Sequence, residues 1–239
     1  MPSVAVGIFC KTPTPGLSKT RLSPPLRPDE CAAISACFIR DLTATIANFA
    51  RNSGAVGYAV YTPIGSEARL RSVLPSGFRL LPQCEGDFGT RLATATRELL
   101  KTHAGVIMVN ADSPTLPASI LDAAVKATRG GDRLVLSPAF DGGYTLIGTS
   151  KHHPALYRDI PWSTAQVFQR TVERAKEIGL PVAVVPGWYD IDDAQSLAML
   201  KAELAGAPPF PGAVPGADAP ATRAHLFARD EPLRAGIAR

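Results

Sequence analysis

A cationic loop follows the first apolar stretch of the chain, residues 4–9. Lys11, Lys19 and Arg21 stand close together in this loop, which also contains two prolines and Gly16. Clustered lysine and arginine side chains in a stiffened loop favour an anion, and a glycine lets the backbone approach it without a Cβ clash. The loop therefore predicts a site for a di- or triphosphate, with a solvated basic loop as the ordinary alternative.

Three acidic loops occur later in the chain. Asp112 stands in an Asn-Ala-Asp-Ser-Pro stretch, Asp141 in an Asp-Gly-Gly stretch, and Asp190 and Asp192 in Asp-Ile-Asp-Asp. On an extended segment, residues two apart point the same way, so Asp190 and Asp192 favour a two-carboxylate metal site. Each loop alone also has an ordinary structural explanation. Asp112 would form an Asx turn or a helix cap, and Asp-Gly-Gly would be a hairpin turn. Asp190 and Asp192 would belong, with Asp193, to a cluster that caps the last helix.

Short apolar runs alternate with amphipathic helical patterns along the chain, which predicts a doubly wound, mostly parallel α/β sheet with helices on both faces. The expected strands are 4–9, 56–61, 78–82, 106–109, 134–137, 144–148 and 182–185, and the expected helices begin at 28, 65, 89, 118, 164 and 193. Ligands of such sheets bind at the carboxyl ends of the strands. The cationic and acidic loops are thus expected to converge around nucleotide phosphates and a divalent cation.

Composition excludes several other classes of protein. The chain has 239 residues, 46% hydrophobic and 19% charged, which is too apolar for a disordered protein. The net charge is +4 without a block of five or six cations, so nucleic acid is not expected as a partner. Four cysteines without a metal-ligand spacing are expected to be thiols in a reducing cytoplasm, and no apolar run is long enough to suggest a membrane span.

The amino-acid composition of the sequence changes near residue 206. We expect one domain over residues 1–205 and a tail rich in proline, glycine and alanine over residues 206–239. Two interpretations are open, a flexible or loosely packed tail, and an arm that wraps a partner subunit of a homodimer. Phe210, Leu226 and Phe227 would anchor such an arm.

The motifs in their order resemble one bacterial family of glycosyltransferase-A-like proteins, the radical-SAM/selenodomain-associated transferases, also called arsenosugar-biosynthesis glycosyltransferases. The motifs are KTPxPGxxKTRL, QxxGDxGxRL, NADSP, PAxDGGY, WST and DIDD. They cover about residues 3–204. The same superfamily contains 2-phospholactate guanylyltransferase and molybdenum-cofactor guanylyltransferase.

This resemblance implies a nucleotide-diphospho-sugar transferase fold, Mg²⁺ or Mn²⁺ as cofactor, and roles for particular residues. It implies phosphate or nucleotide contacts by Lys11, Gly16, Lys19, Arg21, Gln83, Gly86 and Asp87, metal ligation by Asp112, Asp190 and Asp192, and acceptor contacts by Asp141, Gly142, Gly143, Tyr144, Trp162, Ser163 and Thr164. The chain has Asn-Ala-Asp where many such enzymes have Asp-x-Asp. This departure leaves the number of metals open.

The leading expectation is a metal-dependent glycosyltransferase that uses a nucleotide-sugar donor and a small-molecule acceptor. Lys19, Arg21 and the metal would stabilise the departing nucleoside diphosphate. Asp141 would be a general base or orient the acceptor if the reaction inverts configuration. The alternative is a nucleotidyltransferase, in which a phosphorylated acceptor attacks the α-phosphorus of an NTP and pyrophosphate leaves. A third hypothesis is a nucleotide-binding protein without catalytic activity.

Overall fold

The computed structural model describes residues 2–228, which form one seven-stranded sheet with helices on both faces. The strand order is β3-β2-β1-β4-β6-β5-β7, and β6 alone runs antiparallel to its neighbours. The strands are β1 (Val4–Lys11), β2 (Ala55–Thr62), β3 (Arg79–Pro82), β4 (Gly105–Asn110), β5 (Leu134–Pro138), β6 (Tyr144–Thr149) and β7 (Val182–Val184). The predicted fold class is confirmed.

The helices cover a sheet whose central strands are apolar on both faces. The helices are α1 (Pro28–Ser53), α2 (Glu67–Arg71), α3 (Phe88–Leu100), α4 (Ala118–Arg129), α5 (Val167–Glu177), α6 (Ala194–Leu204) and α7 (Pro220–Phe227). In β1, Val4, Val6 and Ile8 belong to the core under α1, α4 and α6, whereas Ala5 belongs to the opposite core under α3 and α5. This alternation explains why the strands read as continuous apolar runs.

The order of the strands creates a crevice beside β1. The chain passes from β1 to β2 and β3 on one side, and then crosses to β4 on the other side. The connections after β1 and β4 therefore diverge, which opens a gap at the carboxyl ends of these two strands. The cationic loop follows β1 and the Asn-Ala-Asp stretch follows β4, so both border this crevice.

Helix α5 begins at Val167, three residues after the predicted start at Thr164. The Thr164 hydroxyl donates to the Pro161 carbonyl and accepts from the Gln166 amide, at 2.7 and 3.3 Å. These local bonds hold a turn that competes with the first turn of a helix. All four cysteines are free thiols, as the sequence predicted.

Residues 206–228 differ from the expectation of a loose tail, because they pack against the domain. Phe210, Leu226 and Phe227 contact the core of this same chain, and Leu226 is fully buried, so their burial needs no partner subunit. The buried Asp41 carboxylate of α1 accepts the Ala221 and Thr222 amides at 3.1 and 2.7 Å, which caps α7. Residues 229–239 of the expected tail lie outside the described residues.

This arrangement was hard to predict, because α7 has only eight residues and no strong apolar period. One signal was available in α1, where the acidic Asp41 stands among the apolar positions Phe38, Ile39 and Leu42. Within residues 2–228, none of the helices is long and apolar enough to cross a membrane.

We expect Asp41→Ala to lower the free energy of unfolding by about 2 kcal/mol, because two buried amides lose a charged acceptor. Asp41→Asn keeps one acceptor oxygen and should lose less. Urea unfolding measures both, with Asp122→Ala as control, since Asp122 forms an exposed pair with Lys126 whose loss costs little. A loss below about 0.5 kcal/mol for Asp41→Ala would contradict the capping role.

Candidate active site

Three carboxylates meet at the carboxyl edge of the sheet. One oxygen from each of Asp141, Asp190 and Asp192 lies within 4.8 Å of the other two. Asp141 follows β5, whereas Asp190 and Asp192 follow β7 on either side of the fully buried Ile191. Burial of Ile191 turns its two neighbours toward the same side, as the spacing predicted. We call Asp141, Asp190 and Asp192 the acidic cluster.

Buried hydrogen bonds tie the loops of this edge to one another. The Ile191 amide donates to the Asp112 carbonyl at 3.0 Å, and the Ser113 hydroxyl donates to the Tyr189 carbonyl at 2.7 Å. The Trp188 amide donates to the Pro138 carbonyl at 3.1 Å, which joins the loops after β5 and β7. These bonds fix where the acidic side chains can point.

The negative charge of the acidic cluster is compensated only in part, by the ion pair of Asp192 with Lys19. Burial raises the pKa of Asp190 to about 7, and the nearby charges of Asp192, Asp141 and Asp112 raise it further against the opposing effect of Lys19. The Asn110 side-chain amide donates to Asp190 at 3.4 Å, and its buried Oδ1 has no partner among the described residues. Three clustered carboxylates beside an unpartnered amide oxygen suit a hard divalent cation, which prefers oxygen ligands.

Lys19 forms the centre of a charged clamp. Its ammonium contacts Asp112 Oδ2 at 2.9 Å and Asp192 Oδ1 at 3.0 Å, and it donates to the Ile191 carbonyl at 2.6 Å. Burial would lower the pKa of Lys19, but the two carboxylates outweigh burial and raise it. Three acceptors match the three donors of an ammonium, so Lys19 is fully engaged. Its backbone is left-handed, with φ 49°, a strained conformation that these contacts maintain.

Asp112 has a different environment from the one expected for a metal ligand. Its carboxylate pairs with Lys19, and the group within metal-binding distance contains Asp141 in its place. Asp141 was expected to act on the acceptor. The sequence pattern suggested three acidic loops at one edge, and it contained no information on which carboxylate would face Lys19. The role of Asp112 as a metal ligand and that of Asp141 toward the acceptor stay predictions.

A cavity of about 240 Å³ lies next to the clamp. Its lining includes Lys11, Lys19 and Arg21, with Asp112 and Asp192 at one wall. The Arg21 side chain is 69% exposed, and its ion pair with Asp192 is long, at 3.9 Å. Lys11 and Arg21 can therefore donate hydrogen bonds to a phosphate in the cavity. The positive charge of Lys11, Lys19 and Arg21 together would attract this anion.

Gly16 stands in the same loop with a positive φ of 73°, and a Cβ added there would meet no atom within 4 Å. The left-handed backbone explains why a glycine stands at this position. Crowding by neighbouring protein atoms does not explain it, because there is room for a Cβ. The phosphate contact expected of Gly16 stays a prediction.

Gln83 forms hydrogen bonds with two strands of the sheet and with a side chain of α3. Its buried amide donates to the Cys10 and Val60 carbonyls at 3.1 and 2.9 Å, and its oxygen accepts from Arg91 at 2.9 Å. Arg91 in turn lies over the ring of Phe9, 6.0 Å from its centroid. Gln83 thus braces β1 and β2 and holds Arg91, and its expected contact with a nucleotide stays a prediction.

Asp87 is the N-cap of α3. Its carboxylate accepts the Thr90 amide at 2.7 Å, and this bond lowers the pKa of Asp87. Gly86 precedes it with φ 118°, and a Cβ there would press on the Thr90 side chain at 3.0 Å. Both residues have a structural role at the start of α3. The nucleotide-site role expected of Gly86 and Asp87, and the contact of Asp87 with nucleoside or acceptor, stay predictions.

The Asp-Gly-Gly turn and the Trp-Ser-Thr loop lie against each other. The Phe168 amide donates to the Gly142 carbonyl at 2.9 Å, and a Cβ on Gly142 would collide with the Ala165 backbone. The Gly143 amide donates to Asp141 Oδ1 at 2.8 Å, which orients that carboxylate. The resemblance implied that these two segments share one side of the site, and the structure brings them together.

The remaining expected acceptor residues divide between core and surface. Trp162 is half-buried, with its ring 4.7 Å from Phe88, and it lines a separate cavity of about 600 Å³ beside α3. Tyr144 packs in the core under α3 and α5, and burial raises the pKa of its phenol. Ser163 and Thr164 are exposed, and Ser163 has a left-handed backbone with φ 63°.

The fold matches solved nucleotide-diphospho-sugar transferase-like structures. A crystal structure of a "putative nucleotide-diphospho-sugar transferase" from Desulfovibrio desulfuricans G20 is 27% identical, covers 98% of both chains and has a TM-score of 0.82. CMP:2-keto-3-deoxy-manno-octonic acid synthetase with CTP is 10% identical over 86% of this chain and 99% of that one, with TM-score 0.54. The 4-diphosphocytidyl-2C-methyl-D-erythritol synthase of Anaerococcus prevotii DSM 20548 is 10% identical over 85% and 96%, with TM-score 0.56.

The chain belongs to the DUF2064 family, described as "Uncharacterized protein conserved in bacteria", whose family model matches residues 45–164. The bacterial family that the motifs resemble is thus supported at the level of DUF2064 and of the transferase-like fold. No curated protein matches the sequence.

We expect Asp190→Asn to stabilise the metal-free protein at pH 8. The folded carboxyl has its pKa raised to about 7, so the native state holds a proton that the unfolded state, with an ordinary pKa of about 4, has released. Stability contributed by this proton is present below pH 4 and is lost as pH rises through 7, and the neutral amide removes that loss.

Chemical unfolding with EDTA at pH 5 and pH 8 measures the effect. The gain from Asp190→Asn should be at least about 1 kcal/mol larger at pH 8 than at pH 5. Asp159→Asn, at an exposed carboxylate outside the site, serves as control. Equal effects of Asp190→Asn at the two pH values would mean that burial and the neighbouring carboxylates do not raise the pKa of Asp190.

Proposed function

We propose that this protein is a metal-dependent glycosyltransferase with a nucleotide-sugar donor and a small-molecule acceptor. The observation that carries the proposal is the placement of an acidic cluster beside a cavity lined by Lys11, Lys19 and Arg21 at one edge of the sheet. Carboxylates and cations at adjacent positions suit a metal-bound diphosphate. The similarity to the Desulfovibrio protein over nearly the whole chain supports the nucleotide-sugar donor.

The residues present fit a divalent metal. Asp141, Asp190 and Asp192 would hold Mg²⁺ or Mn²⁺ through carboxylate oxygens, and the unpartnered Oδ1 of Asn110 is a further candidate ligand close to Asp190. When bound, such a cation supplies positive charge that stabilises a departing diphosphate. Lys19 holds Asp192 in place, and Lys11 and Arg21 bind phosphate oxygens in the adjacent cavity.

The acceptor is proposed to bind on the side of the Asp-Gly-Gly turn. Asp141 has one oxygen oriented by the Gly143 amide and is exposed, so it can contact an acceptor hydroxyl as well as the cation. The loop of Trp162, which rests against Gly142, would border this acceptor. We also retain, as a proposal that rests on the sequence motifs, membership of the radical-SAM-associated transferases and a role in arsenosugar biosynthesis.

Nucleotidyl transfer is the second candidate. The same cavity and carboxylates would bind an NTP, and the fold is shared with two synthases of the cytidylyltransferase type. In that reaction a phosphorylated acceptor attacks the α-phosphorus and pyrophosphate leaves. A nucleotide-binding protein without turnover is the third candidate.

Product analysis separates these functions. We expect the wild-type protein with Mn²⁺, a panel of nucleotide sugars and small hydroxyl acceptors to release nucleoside diphosphate. Asp192→Asn should reduce the rate at least about 100-fold, because both the cation and Lys19 lose a carboxylate. Asp193→Asn is the matched control, since Asp193 caps α6 and Asn caps equally well.

Release of pyrophosphate from an NTP with a phosphorylated acceptor, and of no nucleoside diphosphate from any sugar donor, would establish nucleotidyl transfer instead. Nucleotide binding without either product would establish the third candidate. Prior ranking of donors by thermal shift narrows the panel, since a ligand that binds the native state raises its melting temperature.

A further inference from the structure

The segment of residues 206–219 between α6 and α7 contacts both loops that carry the acidic cluster. Its Phe210 ring lies 4.8 Å from the ring of Phe140 and 5.5 Å from that of Trp188, measured between centroids, with both contacts close to edge-to-face. Phe140 directly precedes Asp141, and Trp188 stands two residues before Asp190. One aromatic side chain thus bridges the two halves of the cluster.

The two loops differ in how firmly the domain holds them. Trp188 is fully buried, and its indole donates to Thr115 at 3.3 Å. Phe140, in contrast, is a large apolar side chain that is 59% exposed at the tip of its loop. The contact with Phe210 therefore ties an exposed loop tip to a fixed one.

Phe210 itself is held between fixed points. It follows α6, whose Leu204 is buried in the core, and the Ala217 amide beyond it donates to the Thr115 carbonyl at 2.9 Å. The next helix, α7, is capped by the buried Asp41. A ring anchored on both sides can restrain the loop that it contacts.

We propose that Phe210 is a positioning residue of the acidic cluster and that it holds Asp141 within reach of the cation shared with Asp190 and Asp192. The proposal rests on the proposed metal site, and it gives the C-terminal segment a function within that site. Residues that orient metal ligands without touching the metal affect its affinity. Loss of the ring should loosen the loop at Phe140, which the Trp188–Pro138 and Phe168–Gly142 hydrogen bonds then hold alone. Binding of the cation should weaken, while the ligands themselves remain.

The matched pair of variants is Phe210→Ala and Phe227→Ala. Phe227 is also partly buried near the C-terminus, but it lies in α7, which packs on α1. Both variants lose one aromatic side chain from the same region of the chain. Phe210→Tyr keeps the ring and is the conservative rescue, and Phe210→Leu keeps apolar volume without the ring in case the alanine variant fails to fold.

The first readout is Mn²⁺ affinity, measured by the EPR signal of free Mn²⁺. We expect Phe210→Ala to weaken binding roughly tenfold, with Phe210→Leu intermediate, and Phe210→Tyr and Phe227→Ala close to wild type. The second readout needs no metal: the backbone amide NMR signals of residues 140–143 should shift or broaden in Phe210→Ala and stay in place in Phe227→Ala.

Unchanged amide signals in Phe210→Ala and Phe210→Leu, or equal changes in Phe227→Ala, would overturn the proposal. If the wild-type protein binds Mn²⁺ and Phe210→Ala binds it with the same affinity, the proposal is overturned as well. If the wild-type protein binds no Mn²⁺, the proposed metal function fails. The amide signals then show separately whether Phe210 restrains the loop.

Discussion

The salt-bridge clamp around Lys19 is the interaction on which the rest of the site depends. It joins the loop after β1 to Asp112 after β4 and to Asp192 after β7, so three separate connections share one buried ammonium. Removing one partner of such a buried group would leave uncompensated charge. The clamp therefore fixes the loop geometry while it balances part of the acidic charge at the sheet edge.

The clamp separates two tasks that the same residue types could perform. Lys19 and Asp112 neutralise each other, which leaves Lys11 and Arg21 at the cavity for an incoming anion. The acidic cluster lies next to this cavity. Burial and the neighbouring carboxylates raise the pKa of its Asp190 to about 7. A cation would relieve the repulsion among these carboxylates, and phosphate oxygens would complete its ligand set. In the function we propose, electrostatics would thus link metal and nucleotide binding.

Much of the fold was predictable from the sequence, because each element depends on local patterns. The seven strands follow from short apolar runs, and the shared direction of Asp190 and Asp192 follows from the period of an extended segment. The parallel order also explains why loops far apart in sequence meet at one edge. Asp193 as a helix cap follows from local chemistry in the same way.

Individual partners in the site were not predictable, because periodicity does not encode contacts between distant residues. Lys19 and Asp192 are 173 residues apart, and their pairing depends on loops whose paths no pattern specifies. For the same reason the sequence did not show that Gln83 braces two strands and that Asp87 caps α3. The packing of residues 206–228 likewise depends on distant partners, among them the buried carboxylate of Asp41 on α1.

The most direct test of the account is anomalous scattering from a crystal grown with Mn²⁺ and a nucleoside diphosphate. We expect one anomalous peak within about 2.5 Å of carboxylate oxygens of Asp141, Asp190 and Asp192, with the diphosphate in the adjacent cavity of Lys11 and Arg21. A peak at other side chains, or a diphosphate bound away from the acidic cluster, would contradict it.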